Sequence, residues 1–148
     1  MHEAMLYEKL PNSRVRCNTC RGRRDIAPGK FGVCRVYQNR DGTLYNLNYA
    51  KASSVAADPI EKKPLFHFFP TSQAFSLGGW GCNFHCRDCQ NWEISCPEID
   101  EPWLGSQEVQ PQTAIELAKR YHCQGIAWTY NEPSIWFEYT LDSAKLAK

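Results

Sequence analysis

The stretch "GGWGCNFHCRDCQNW", residues 78–92, carries three cysteines, Cys82, Cys86 and Cys89, separated by three and then two residues. Thiolates so bunched bind soft metals, zinc and iron–sulfur clusters above all. A structural zinc site takes four protein ligands, and only three thiolates are local. A cubane cluster has four irons, and three cysteines on one loop leave the fourth iron open to a small molecule. Gly78, Gly79 and Gly81 let backbone approach a bulky group and turn N–H donors toward it.

The flanking sequence sets where the loop lies. "QAFSLGGW" reads as a short strand running into the glycine turn, and "CQNWEISC" as the first turns of a helix or an irregular wrap. Pro97 and Pro102 then break the chain. "PQTAIELAKRYH", 111–122, predicts a helix with Pro111 in the first turn and a stripe of Ala114, Leu117, Ala118 and Tyr121. "IAWTY", 126–130, predicts a strand, and "PSIWFEYTLDSAKLAK" a further helix. The alternation implies βα units with parallel strands. Residues 74–148 are therefore expected to be α/β, the first units of a larger, incomplete assembly. Two such units cannot close a barrel, so the sequence reads as truncated at its C-terminal side.

Residues 1–50 read differently, as a small β-rich module. "RVRCNTC" alternates loosely, "KFGVCRVYQ" is β-prone, and Asp41-Gly42 signals a hairpin before "TLYNLNYA". Cys17, Cys20 and Cys34 have the spacing of zinc ligands, with His2, Cys96 or Cys123 as candidates for a fourth, and three buried or free thiols are the alternative. Residues 51–73 read as a connector, punctuated by Pro59, Pro64 and Pro70. Its Phe66, Phe68 and Phe69 are expected to pack against something, with His67 a packed polar residue among them.

Net charge is +1, divided into nine Lys/Arg against three Asp/Glu in residues 1–40 and eight against thirteen in the rest. That asymmetry permits an acidic partner for the N-terminal segment, and a solvated basic face is the plainer reading. No apolar run approaches the roughly 18 residues of a membrane span, so no membrane partner is expected. "MHEAMLYEKL" has neither the cationic start nor the apolar core of an export signal. A cytoplasmic location is the expectation, and eight cysteines in a reducing compartment point to metal rather than disulfides.

"CNFHCRDC" matches the CxxxCxxC signature of the radical S-adenosylmethionine (SAM) enzymes. With "DPIEKKPLFHFFP", "CQNWEIS" and "TYNEPS" it resembles the radical SAM protein of the AmmeMemoRadiSam system, related to pyruvate formate-lyase activating enzymes. That resemblance implies a partial (βα)6 barrel and a [4Fe–4S] cluster on Cys82, Cys86 and Cys89. It implies SAM bound to the open iron, a 5′-deoxyadenosyl radical and hydrogen abstraction from a protein or peptide substrate. An electron donor such as ferredoxin or flavodoxin is implied as partner. "YNEP", 130–133, resembles the segment that binds the SAM amino group, giving that role to Glu132 with Asn131 beside it. A plainer role is open for the same residues, Asn131 capping the next helix and Pro133 opening it.

Three departures stand out. Asp88 replaces the aromatic usual before the third cysteine. Arg24 stands where the N-terminal module's third cysteine is expected, and the later βα units are missing. The competing reading is a non-catalytic zinc module, with Cys17, Cys20, Cys86 and Cys89 in one site and a basic face for nucleic acid. It leaves Cys82 and YNEP without a role, as does a simple cluster-binding electron carrier.

Overall fold

The computed structural model describes residues 1–97 and 105–148, so the break expected at Pro102 lies outside the described residues. The first fifty residues form β1 (His2–Glu3), β2 (Tyr7–Lys9), β3 (Val15–Cys17), β4 (Asp25–Ile26), β5 (Tyr37–Arg40) and β6 (Thr43–Asn46). They make two antiparallel sheets, ordered β1-β6-β5 and β2-β3-β4. The β5–β6 hairpin turns at Asp41 and Gly42, with φ of +51° and +91°. Both are left-handed, as a type I′ turn requires. Val15, Ile26, Val36, Tyr37 and Leu44 form the core of this region. Burial of each large side chain contributes about 1.5–3 kcal/mol.

The stretch expected to be a connector holds two strands, β7 (Lys51–Ala52) and β8 (Ser54–Pro59). β8 pairs antiparallel with β9 (Gln73–Gly78) through six residue pairs. Pro59 misled because it sits at the last position of an edge strand, where a missing N–H does little harm. Phe66, Phe68, Phe69 and His67 are exposed, against the expectation that they pack.

After β9 come α1 (Trp92–Ser95), β10 (Gln107–Glu108), α2 (Pro111–Arg120) and β11 (Gly125–Trp128). A 3-10 turn, Pro133–Trp136, leads into α3 (Phe137–Ala147). β10 pairs with β7, and β11 pairs with β9 in parallel, Gly125 opposite Ala74 through Trp128 opposite Leu77. A parallel neighbour needs a crossover, and α2 supplies it. Successive strand residues face opposite ways. Phe75 and Leu77 therefore meet Ala114 and Ala118 of α2, with Trp136 and Tyr139 completing this second core. Tyr121, expected in the α2 stripe, is half exposed with its ring stacked on Phe75.

The architecture is mixed α/β with several small sheets, and the described residues form no barrel. Among the described residues, no helix is long and apolar enough to cross a membrane.

Candidate functional site

Both parallel strands end on one side of their sheet, β9 at Gly78 and β11 at Trp128. The cysteine loop leaves the first end and the YNEP turn leaves the second. Ligands of α/β proteins gather at such carboxyl ends. Hydrogen bonds join the two turns. Asn131 Nδ2 donates to the carbonyls of Gly79 at 3.0 Å and Gly81 at 2.6 Å. Asn91 Nδ2 donates to the Tyr130 carbonyl at 2.6 Å. The Gly81 N–H donates to the Ile94 carbonyl at 2.7 Å, closing the loop on α1.

The glycines are where backbones meet. A Cβ on Gly78 would lie 2.8 Å from the Tyr130 ring, and one on Gly79 would lie 2.7 Å from the Asn48 amide. Asn48 itself is fully buried. Its amide group bridges Trp80, donating to the carbonyl at 3.0 Å and accepting from the N–H at 3.1 Å. Its backbone carbonyl accepts from Trp136 Nε1 at 2.8 Å. Sequence reasoning missed Asn48 and Asn91 as supports of the loop. The signal for Asn48 lay in "YNLNYA", where Asn46 and Asn48 stand on alternate, inward-facing positions of a β-prone run.

Within the loop, Cys82 is buried, Cys89 half-buried and Cys86 exposed. Cys82 Sγ accepts from the Phe84 N–H at 3.4 Å, and Cys89 Sγ donates to Ser95 Oγ at 3.6 Å. Three convergent sulfurs are not seen. Among the described residues, no three His, Cys, Asp or Glu side chains come close enough together to hold a metal ion. Each of these two thiols instead takes a local hydrogen bond. In kind and number the donors fit a [4Fe–4S] cluster. Residues 84–88 are all exposed and outside regular structure, so regrouping them disturbs no packed core.

The YNEP turn corrects one expectation. Glu132, not Asn131, caps the following turn, its Oε1 accepting from the Ser134 N–H at 3.0 Å, with Pro133 in the first position. Among the described residues the second Glu132 oxygen takes no hydrogen bond.

The N-terminal thiols are placed otherwise. Cys17 and Cys34 belong to the apolar core of the β-rich region, and Cys20 is half-buried. Burial pushes the Cys34 thiol up to about 11, with Cys17 and Cys20 adding repulsion, and burial raises Cys17 likewise. Two of the candidate fourth ligands are occupied elsewhere. His2 stacks on Tyr49 at 4.3 Å, and Cys123 packs against the second core.

No family model matches the chain, and no solved structure matches it. Over its whole length it is 47% identical to an uncharacterized protein of Methanocaldococcus jannaschii, of which it covers 44%. The chain thus spans less than half the length of that relative.

Proposed function

We propose that this chain is the cluster-binding portion of a radical SAM enzyme of the AmmeMemoRadiSam type. One observation carries the reading. A CxxxCxxC loop and a YNEP turn leave the same edge of a parallel strand pair, and Asn131 ties them together. A zinc module would need neither the parallel pair nor the turn. Cys82, Cys86 and Cys89 would hold a [4Fe–4S] cluster. Once reduced by a ferredoxin or flavodoxin, a cluster held there would supply the one electron needed to cleave SAM to methionine and a 5′-deoxyadenosyl radical for abstraction of a substrate hydrogen. Glu132 offers its unengaged oxygen to the SAM ammonium, while its other oxygen fixes the carboxylate against the Ser134 N–H. Asn131 holds the two turns in register. On this reading the further βα units that complete a partial (βα)6 barrel, and the substrate, a protein or peptide, lie with the longer protein.

The test is SAM retention in anaerobic equilibrium dialysis. The iron-loaded chain should retain SAM and the iron-free chain should not. A charge-assisted hydrogen bond contributes about 1.5–3 kcal/mol. Glu132→Gln keeps an acceptor for the cap, so it should weaken retention roughly tenfold or more while leaving thermal stability nearly unchanged. Equal retention by loaded and iron-free chain, or by E132Q and wild type, would contradict the proposal.

A further inference from the structure

Between residues 62–64, the end of the cysteine loop and the start of the YNEP turn lies a pocket of about 590 Å³. Its walls include Lys62, Lys63, Gln90, Asn91, Thr129 and Tyr130, and among the described residues no carboxylate lines it. Behind the wall sits Asp58, only 4% exposed. Its Oδ1 accepts from Lys62 Nζ at 2.9 Å, and its Oδ2 from Lys63 Nζ at 2.9 Å and the Tyr130 hydroxyl at 3.2 Å. Burial alone would raise the Asp58 carboxyl. The lysine hydrogen bonds outweigh burial and hold it well below the usual carboxylate range. One negative charge therefore faces two ammonium groups, and one positive charge is left over.

The donors are left over as well. Each ammonium carries three N–H groups, and Asp58 takes one from each. Lys63 is further fixed over the Tyr130 ring, 5.2 Å from its centroid. Its side chain is 14% exposed, so little rotamer freedom remains to be lost when a ligand arrives. The pocket also shares its wall with the proposed site. Gln90 follows Cys89, and Tyr130 precedes Asn131.

We propose that this pocket binds an oxyanion, the carboxylate or phosphate of the substrate acted on at the adjoining cysteine loop. Only the link to that substrate rests on the radical SAM reading. Asp58 acts as a buried anchor that sets both ammonium groups in place, and the ligand neutralises the surplus charge. The Asp58-to-Lys62 spacing of four residues in "DPIEKKP" is the sequence trace of this arrangement.

The test uses the metal-free 148-residue chain with 13Cε-labelled lysine. Inorganic phosphate and, separately, acetate are titrated at constant ionic strength and followed by NMR. Lys62→Arg and Lys63→Arg assign the two signals while keeping charge. Both signals should shift saturably while the other lysines do not. Lys62→Gln, at a largely exposed side chain, should weaken binding at least fivefold with only a small drop in thermal midpoint, because Asp58 keeps Lys63 and the Tyr130 hydroxyl. Tighter phosphate binding assigns a phosphoryl group, and tighter acetate binding a carboxylate. No saturable shift at Lys62 and Lys63, or an unaffected K62Q variant, would overturn the site. Saturable binding in a chain that assembles no cluster would uphold the oxyanion site and overturn its tie to radical chemistry.

Discussion

Replacing Glu138 with alanine should destabilise the chain by about 3–5 kcal/mol, the range for removing one partner of a buried charged network. Glu138 lies on α3 and is fully buried. Its Oε1 accepts from the Met5 N–H at 2.9 Å, and its Oε2 from the Tyr37 hydroxyl at 2.7 Å and Asn46 Nδ2 at 2.8 Å. All three donors belong to the β-rich region, so one carboxylate joins α3 to it. Truncation strands the buried Tyr37 hydroxyl and leaves the Asn46 amide only its bond to the Tyr37 oxygen, and a lone buried donor costs about 1–3 kcal/mol. Glu138→Gln should lose less, about 1–2 kcal/mol, because its amide oxygen still accepts while its NH2 opposes a donor. Urea unfolding measures both. An E138A variant within about 1 kcal/mol of wild type would mean that the network is not a stabilising link.

The same network gives a pH dependence. Burial, with Glu138 next to it, pushes the Tyr37 phenol well above its ordinary value of 10. A raised folded-state value means that this stability is fully present below about pH 10 and is lost as pH rises beyond it. Tyr37→Phe should flatten that alkaline loss.

The second large effect is expected at Gly81. Its φ is +77°, and an added Cβ would run into the Cys34 carbonyl oxygen and lie 2.7 Å from Val36 Cγ1. Neither neighbour can yield, since one is backbone and the other is fully buried. Left-handed φ costs an L-residue roughly 1–2 kcal/mol and overpacking a further 1–3. Gly81→Ala should therefore lose about 3 kcal/mol or more. Gly105 supplies the comparison. Its φ is +82°, but among the described residues nothing lies within 4 Å of the Cβ position. Gly105→Ala should lose only the conformational part, about 1–2 kcal/mol. Equal losses in the two variants would mean that the cysteine loop does not rest on the β-rich region at Gly81.

Much of this architecture was legible locally. Asp41-Gly42 dictates its own turn, and the α2 periodicity and Pro111 place that helix within two residues of its observed end. The parallel pair followed from alternation of apolar strand and amphipathic helix. What escaped depends on contacts far apart in sequence. β8 is a strand because β9 pairs with it, and Pro59 hid that pairing. Glu138 looks like any helical surface glutamate until Tyr37 and Asn46 arrive from about a hundred residues away. At the site, the cysteine spacing shows which residues share a loop but not how their thiols settle. Cys82 and Cys89 take hydrogen bonds from or to their own neighbours, and no three-thiol group forms among the described residues. The exposed phenylalanines at 66, 68 and 69 show the converse limit. Apolar composition reports a capacity for burial, and only the fold decides whether a partner surface is present.

Cys82, Cys86 and Cys89 are proposed to hold one [4Fe–4S] cluster together. The most direct measurement is iron and acid-labile sulfide per chain after anaerobic reconstitution, for wild type and for each cysteine-to-alanine variant. Cys96→Ala and Cys123→Ala serve as controls. About four irons and four sulfides are expected in the wild type and both controls. Cys82→Ala, Cys86→Ala and Cys89→Ala should each fall well below that. Full iron and sulfide content in all three variants, or a colourless wild type that carries zinc instead, would contradict it.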